Sequence, residues 1–400
     1  MDEPDLHTLT LKSKEEHRIR TGHLWVYSNE IDTEKSPLTQ FQAGQQVRVC
    51  SAKQQFLGYA YINPKTLLCA RILSQHIKNP ISKRFLKKQL QHALTLRTQL
   101  FERPFYRLIH GEGDYLPGLV VDRYADILVC QFNTVGMECL KDDILSSLIE
   151  LLSPAGILIK NEAHQRTLEG LELDNGVAYG TVPEDTDVIT DAGTFTVPLQ
   201  KGQKTGWFYD QAHNRQQLSH IQQVDQALDL FSYVGSWGIM AARQGAKRVV
   251  CVDSSQTALE YVTINAARNG VADQVQTLQG DAVDVAKSLA ADKARFDLLM
   301  IDPPAFIKRK KDVKKGLEAY RRINELALRM SDKDSFVFTS SCSYHLLMDN
   351  LKKTLFQAAK HVDRQLQQLY QGQQAKDHPI HPAMPETHYL KTLLYRCSVR

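Results

Sequence analysis

Residues 226–253 read QALDLFSYVGSWGIMAARQGAKRVVCVD. A short apolar run carries Asp229 near its end, a turn with Gly235 and Gly238 follows, a helical stretch begins near 237, and a second apolar run, RVVCVD, ends on Asp253. Strand, glycine turn, helix, strand is the repeating unit of a parallel sheet, whose strands are covered on both faces and so read as continuous apolar runs. The rhythm continues with a helix from 255, VQTLQGD, a helix near 282–291, FDLLMID, a helix near 314–330 and SFVFTSS. Such alternation specifies βαβ units and a doubly wound, mostly parallel α/β sheet of the Rossmann-like type.

Upstream, the hairpin-like tract DVITDAGTFTVPLQKGQKTGWFYD and a helix over about 211–223 complete a domain expected at 186–400. Residues 74–185 mix a helix over 82–103, a strand pair joined by Tyr124-Ala125-Asp126, a helix near 137–152 and the strand GILIKNE, which predicts a middle α+β domain. Residues 1–73 hold the short strands HLWVYSNEI, GQQVRVCSA, FLGYAYINP and LLCARILS, punctuated by Gly44, Gly58 and Pro64, and predict a small β-barrel. The chain is thus read as a multidomain α/β protein.

No run approaches the ~18 apolar residues of a membrane span, and the polar amino terminus lacks a signal peptide, so a cytoplasmic protein without membrane contact is expected. The seven cysteines are scattered, with no C-x-x-C pair, which argues against a disulfide framework and against a metal site. Cys50 and Cys251, inside strands, read as small buried residues. The net charge is only +4, but cations cluster at Lys308-Arg309-Lys310-Lys311 with Lys314 and Lys315, and at Lys83, Arg84, Lys87 and Lys88. Either cluster can neutralise phosphates; the plainer alternative is a solvated face.

The ends of the parallel strands point to the ligand, since doubly wound sheets bind there. The turn is not the G-x-G-x-x-G dinucleotide fingerprint. Asp229 is unfavourable beside a phosphate and suits a ligand with an ammonium group. Asp253, followed by Ser254, can accept both hydroxyls of a ribose, and Asp281-Ala282 sets a third acid near an adenine amino group. With Asp302 at the fourth strand end, the set fits S-adenosylmethionine better than NAD. Lys204 and Asp210, just upstream, either close over the cofactor or form a surface ion pair.

Asp302-Pro303-Pro304 puts rigid prolines at the cofactor edge. Similar D-P-P-Y or N-P-P-Y turns in amino-methyltransferases stack the target base on the aromatic residue and accept its amino protons, which makes Asp302 a candidate catalytic residue, but Ala305 stands in the fourth position here and Phe306 follows. Thr339-Ser-Ser-Cys342-Ser343 closes the next strand at that same edge. A thiolate there can add to carbon 6 of a pyrimidine and make carbon 5 nucleophilic enough to take a methyl group. Flanking serines can hydrogen-bond a thiolate. The alternative is a small residue at a crowded strand end.

The stretches 14–31 (KEEHRIRTGHLWVYSNEI), 111–124 (GEGDYLPGLVVDRY) and 204–211 (KTGWFYDQ), with Asp302-Pro-Pro-Ala-Phe, Ser341-Cys-Ser, His378-Pro and Tyr389-Leu-Lys, together resemble one family. It is the class I ribosomal RNA large-subunit methyltransferases of the RlmI type, which make 5-methylcytosine in 23S rRNA. The likeness runs from about residue 8 to the end. It implies a PUA-type RNA-binding barrel, a middle α+β domain and a class I methyltransferase domain. It implies Cys342 as nucleophile and a cofactor site lined by Asp229, Phe231, Ser232, Gly235, Asp253, Asp281 and Asp302, with Lys204, Thr205, Phe208 and Asp210. Two departures stand out. Ala305 replaces the family's lysine, and Pro304 occupies the place where other RNA cytosine methyltransferases carry a second cysteine. The residue that removes the carbon 5 proton is unassigned.

Three readings follow. The first is a cytosine carbon 5 methyltransferase acting on 23S rRNA or a large-subunit assembly intermediate. The second methylates another base, such as guanine at N7, without a covalent intermediate. The third binds RNA and has a degenerate methyltransferase domain, against which the acids at 229, 253, 281 and 302 count. Pairing of two copies as a homodimer stays open.

Overall fold

A computed structural model describes residues 6–202 and 205–399 and divides the chain into two compact units. The second unit takes in 185–198, 208–375 and 388–400. Its strands are β1 (Gln226–Leu230), β2 (Arg248–Asp253), β3 (Val275–Gln279), β4 (Phe296–Ile301), β5 (Ser331–Ser341), β6 (Arg364–Gly372) and β7 (Lys391–Val399). They form one sheet in the order β3-β2-β1-β4-β5-β7-β6. The first five strands run parallel, and β7 lies antiparallel between β5 and β6.

The helices are α1 (Ser236–Arg243), α2 (Gln256–Arg268), α3 (Ala282–Ala291), α4 (Val313–Arg329) and α5 (Met348–His361). Alternate residues of β2 show why the sheet is wound on both sides. Val250 and Val252 join a core with Ala286 of α3, Ile323 and Ala327 of α4 and Ala358 of α5. Val249 and Cys251 point the other way, toward Gly238 of α1. Strands apolar on both faces cannot lie at a surface, so the continuous runs in the sequence are a direct consequence of burial. The strand order reverses between β1 and β4, and ligands of such sheets bind beyond the strand ends at this switch point.

The first unit comprises 1–184, 199–207 and 376–387. Its amino-terminal sheet runs Thr8–Thr10, Gln46–Cys50, Phe56–Ile62, Leu68–Ser74, Trp25–Tyr27, and a bridge from Leu11 to Ile31 ties the two edges toward a barrel. A second sheet of five strands, over 105–180, carries the helices Lys83–Leu100 and Lys141–Leu152, the first capped by Ser82 Oγ accepting from Phe85 N. The two sheets share one core: Tyr59 and Tyr61 of the barrel lie in a cluster with Leu86, Leu119 and Phe132. The tract 376–387, expected within the carboxy-terminal domain, packs in this unit. Arg97 Nη2 donates to Asp377 O at 2.7 Å, Arg107 N donates to Asp377 Oδ2 at 2.8 Å, and Met384 enters the barrel core.

Among the described residues no helix is long and apolar enough to cross a membrane. No group of three or more His, Cys, Asp or Glu among them is arranged to hold a metal ion.

Candidate active site

Leu230 of β1 pairs with Val252 on one side and Ile301 on the other, so Phe231, Asp253 and Asp302 sit at one level of the sheet edge. The turn after β1 is strained. Phe231, Tyr233 and Gly235 take φ of 67°, 49° and 84°. A left-handed conformation at a bulky residue costs on the order of 1–3 kcal/mol and persists only where the surroundings enforce it. Here three bonds do so: Ser232 N donates to Val252 O at 2.9 Å, Tyr233 N to Asp253 Oδ2 at 2.9 Å, and Gly235 N to Ser232 O at 2.8 Å.

Asp229 is buried at the foot of this turn. Its Oδ2 accepts from Gly238 N at 2.9 Å, while Oδ1 has no partner among the described residues, and neither has the buried Ser232 Oγ. Burial pushes the Asp229 carboxyl up to about 8, with the charges of Asp302 and Asp253 adding to it; the Gly238 amide and Arg215 oppose. Gly238 has a packing role. A Cβ there would lie 2.5 Å from Cys251 Sγ and 3.2 Å from Asp229 Oδ2, so glycine lets α1 press onto β2 and bring its amide to Asp229.

Asp253 accepts from Tyr233 N and Ser255 N, each at 2.9 Å. Each oxygen keeps acceptor capacity, because an ionised carboxylate offers about four lone-pair sites. Ser254 is exposed, and its carbonyl accepts from Gln279. Asp281 has a local role: it is the N-cap of α3, its Oδ1 accepting from Val283 N at 2.9 Å and Asp284 N at 3.3 Å, with Ala282 buried beside it.

Asp302 is gripped at both oxygens, by Gln211 Nε2 at 2.9 Å and Trp237 Nε1 at 3.3 Å. Burial, reinforced by the charge of Asp210, pushes its carboxyl up to about 6. The segment before β1 joins the cluster. The Phe208 ring meets Tyr233 edge-on at 5.4 Å, and Asp210 Oδ2 accepts from Tyr389 Oη at 2.6 Å. The charges of Asp253 and Asp302 act on Asp229 and that of Asp210 acts on Asp302, so four carboxylates form one cluster; among the described residues Arg215 is the cation whose charge acts on Asp229 and Asp302. Thr205 lies in the first unit instead, its Oγ1 donating to Asp122 Oδ2 at 2.5 Å and its carbonyl accepting from Tyr124 Oη at 3.0 Å. Lys204 lies outside the described residues.

The turn Ser341-Cys342-Ser343 follows β5. Ile301 pairs with Thr339, so Cys342 leaves the sheet at the edge shared by Asp302, with its thiol half-buried. The flanking hydroxyls brace the turn. Ser341 Oγ donates to Tyr320 Oη at 2.8 Å, Tyr320 Oη and Ser343 Oγ bond at 3.0 Å, and Ile307 N donates to Ser343 Oγ at 3.1 Å. Phe306 stacks obliquely on Tyr320 at 4.8 Å and stands 6.5 Å from Phe231, forming an aromatic wall between the two turns. Sequence reasoning did not single out Gln211, Arg215 or Trp237. Trp237 sits inside the glycine turn, where its indole could have been suspected; the other two are ordinary polar residues of a helical stretch.

A doubly wound sheet of this order, with acids at successive strand ends and a glycine turn after β1, defines a class I methyltransferase. Known proteins of similar sequence and fold agree. A PUA-like domain model matches residues 9–75, and a model described as conserved hypothetical protein 95 matches 214–370. Ribosomal RNA large subunit methyltransferase I of Vibrio vulnificus (strain CMCP6) is 32% identical over 397 residues, covering 97% of this chain and 98% of that protein. The protein of the same name from Shewanella denitrificans is 31% identical over 393 residues, with coverages of 97% and 98%. A Streptococcus mutans structure assigned as a SAM-dependent methyltransferase superposes with a TM-score of 0.82 at 20% identity, covering 98% of this chain and 100% of its own. The chain belongs to the ribosomal RNA large subunit methyltransferase I family and is an S-adenosylmethionine-dependent methyltransferase.

Proposed function

We propose that this protein methylates carbon 5 of a cytosine in the 23S RNA of the large ribosomal subunit, free or in an assembly intermediate, through a transient bond from Cys342 to carbon 6. The observation that carries this reading is the place of Cys342: a half-buried thiol on the turn after β5, at the sheet edge where Asp302 and the acid cluster converge.

The acid cluster fits the cofactor. Asp229 Oδ1 and Ser232 Oγ are buried polar atoms without partners among the described residues, which a bound ligand's donors and acceptors would satisfy. Four carboxylates against one guanidinium suit a ligand carrying an ammonium and a sulfonium and repel a pyrophosphate. In this reading Asp229 takes the ammonium and Asp253 the ribose hydroxyls. Asp281 and Ala282 lie toward the adenine, and Phe208, Phe231, Ser232 and Gly235 line the pocket. Thr205, held by Asp122, is left out of the set.

S-adenosylmethionine, when bound, would supply a methyl group activated by its positive sulfur, the electron pair of the broken S–CH3 bond staying on that sulfur as a neutral thioether. The chain supplies the activation of the base. An electron pair of the Cys342 thiolate forms the bond to carbon 6, and the π electrons of the 5,6 double bond shift onto carbon 5, which becomes nucleophilic. Once carbon 5 carries the methyl group, its proton leaves to water, the double bond re-forms and the S–C6 electrons return to sulfur. Asp302, fixed by Gln211 and Trp237, accepts from the exocyclic amino group of the cytosine.

The deciding experiment incubates the protein with tritiated cofactor and deproteinised 23S rRNA and identifies the labelled nucleoside after digestion. Label in 5-methylcytidine is expected; label in 7-methylguanosine would replace this reading with the non-covalent one.

RNA must also be held. Lys308, Arg309, Lys310, Lys311, Lys314 and Lys315 are exposed, and the ion pair within the run joins Arg309 to Asp312 at 2.9 Å. The other basic cluster is partly neutralised, since Lys83 and Lys87 both pair with Glu150. Alanine at 308–311 is therefore expected to weaken RNA binding and to flatten the log–log salt dependence by roughly 3 units, at ~0.7–0.9 for each phosphate that is no longer neutralised. A slope unchanged from wild type across a salt series would return the run to a solvated loop.

A further inference from the structure

We propose that Lys391 is the counter-ion of the Cys342 thiolate, a positioning residue whose ammonium keeps the sulfur ionised and aimed at neutral pH. Its catalytic consequence rests on Cys342 being the nucleophile, as proposed above; the pairing itself is inferred from the place of the buried ammonium across the turn that carries the thiol.

Lys391 opens β7, and the antiparallel register sets it opposite Ser341 of β5, one residue before Cys342. The residue is only 5% exposed. Its Nζ donates to Ser343 O at 3.0 Å and to Tyr389 O at 2.9 Å, so the ammonium reaches across the turn that carries Cys342. Two carbonyls occupy two of its three protons, and among the described residues no carboxylate forms an ion pair with it. Lysine is almost never buried to this extent without a partner of opposite charge, because desolvating an ammonium is costly.

Tyr320, His388 and Lys391 stand around this turn, Tyr344 and His345 follow Ser343 in the chain, and Asp302 lies on the same sheet edge. Tyr320 is held protonated by burial, and burial together with Lys391 lowers His388, so neither supplies a negative charge near neutrality. Cys342 can, and its charge is the one that acts on Lys391. Burial draws the Lys391 ammonium down to about 8, and Cys342 is the group that draws it back up. A lysine bracing the turn through its two carbonyl bonds would do so whether or not the sulfur were ionised. A counter-ion makes the ionisation of the sulfur depend on it.

The test follows the rate of iodoacetamide alkylation of the half-buried Cys342, assigned by peptide mass mapping because Cys139 is exposed, from pH 5 to 10 in the full-length protein. In wild type the half-maximal rate is expected well below the ~8.5 of a free thiol. Lys391→Met should slow alkylation at pH 7 by tenfold or more, and Lys391→Arg should keep most of the wild-type rate. A wild-type profile at or above the free-thiol value overturns the pairing by itself, so the proposal stays testable even if Lys391→Met does not fold. An unchanged profile in a folded Lys391→Met overturns it equally. A low wild-type profile combined with full methylation by Cys342→Ala would keep the ion pair and sink the nucleophile reading; a high profile combined with an inactive Cys342→Ala would do the reverse.

Discussion

Cys342→Ala is expected to bring methyl transfer to 23S rRNA down to background, a loss on the order of 10⁴-fold or more, while S-adenosylmethionine still raises the melting temperature as in wild type. The size follows from the chemistry. Carbon 5 of cytosine is a poor nucleophile until carbon 6 carries an added group, so removing the nucleophile removes the reaction path itself and not one interaction of many. Cofactor binding should survive because the thiol stands on the turn after β5, whereas the unpartnered Asp229 Oδ1 and Ser232 Oγ belong to the end of β1 and the turn that follows it. A direct sign of the adduct is available as well. RNA whose target cytosine carries fluorine at carbon 5 cannot lose a proton there, so wild type should remain bound to it through denaturing electrophoresis and Cys342→Ala should not. Less than a tenfold loss of rate in Cys342→Ala would favour methylation without covalent activation.

The second large effect comes from Asp229 and has opposite signs for stability and for binding. In the unfolded chain an aspartate titrates near 3.9, whereas burial pushes the folded Asp229 up to about 8. Between those values the folded protein holds a proton that the unfolded chain has lost. The contribution of Asp229 to the stability of the cofactor-free protein therefore falls as pH rises, by about 1.4 kcal/mol per unit, and the fall levels off above pH 8. Asp229→Asn removes this penalty and keeps an oxygen for the Gly238 amide. Free Asp229→Asn should thus be the more stable protein at pH 7.5, by on the order of 2–4 kcal/mol. The same change removes the charge that meets an ammonium. A charge-assisted hydrogen bond contributes roughly 1.5–3 kcal/mol, so cofactor affinity should drop by up to roughly 100-fold. Thermal melts with and without cofactor read both effects: a higher starting temperature in Asp229→Asn and a much smaller ligand shift. A variant that melts below wild type, or one with an undiminished ligand shift, would show that Asp229 is not a buried carboxyl that gives up its proton to meet the cofactor.

Both predictions turn on residues that stand out in the linear chain. Asp229, Asp253 and Asp302 lie at the ends of uninterrupted apolar runs, and such runs are readable because a strand covered on both faces has no polar alternation. The barrel strands and the Ala125 turn, with its positive φ of 55°, were legible for similar local reasons. Other features were not. The strand Asp174–Gly180 is exposed throughout and polar at its start, so periodicity does not reveal it; it is made a strand by pairing with Gly156–Asn161. The serines beside Cys342 looked like partners for its thiolate, yet their hydroxyls meet Tyr320 and Ile307 N. At Gly238 a side chain would collide with Cys251, so the glycine also answers a packing requirement between α1 and β2 that the turn alone does not announce.

Element type and order are written in the chain because they depend on neighbours a few residues away: the β1-to-β5 alternation, the glycine turn and the acids at the strand ends all belong to this local record. Which groups meet across space depends on register and strand order, which are settled by packing. Arg97 reaches Asp377 across 280 residues, and no local pattern announces that contact. Lys391 crosses the turn that holds Cys342 because β7 runs antiparallel beside β5 and sets its first residue opposite Ser341. The linear chain was enough for the class of the protein and for the acids that suit its cofactor; it took the folded sheet to bring a buried lysine across the turn that carries the thiol.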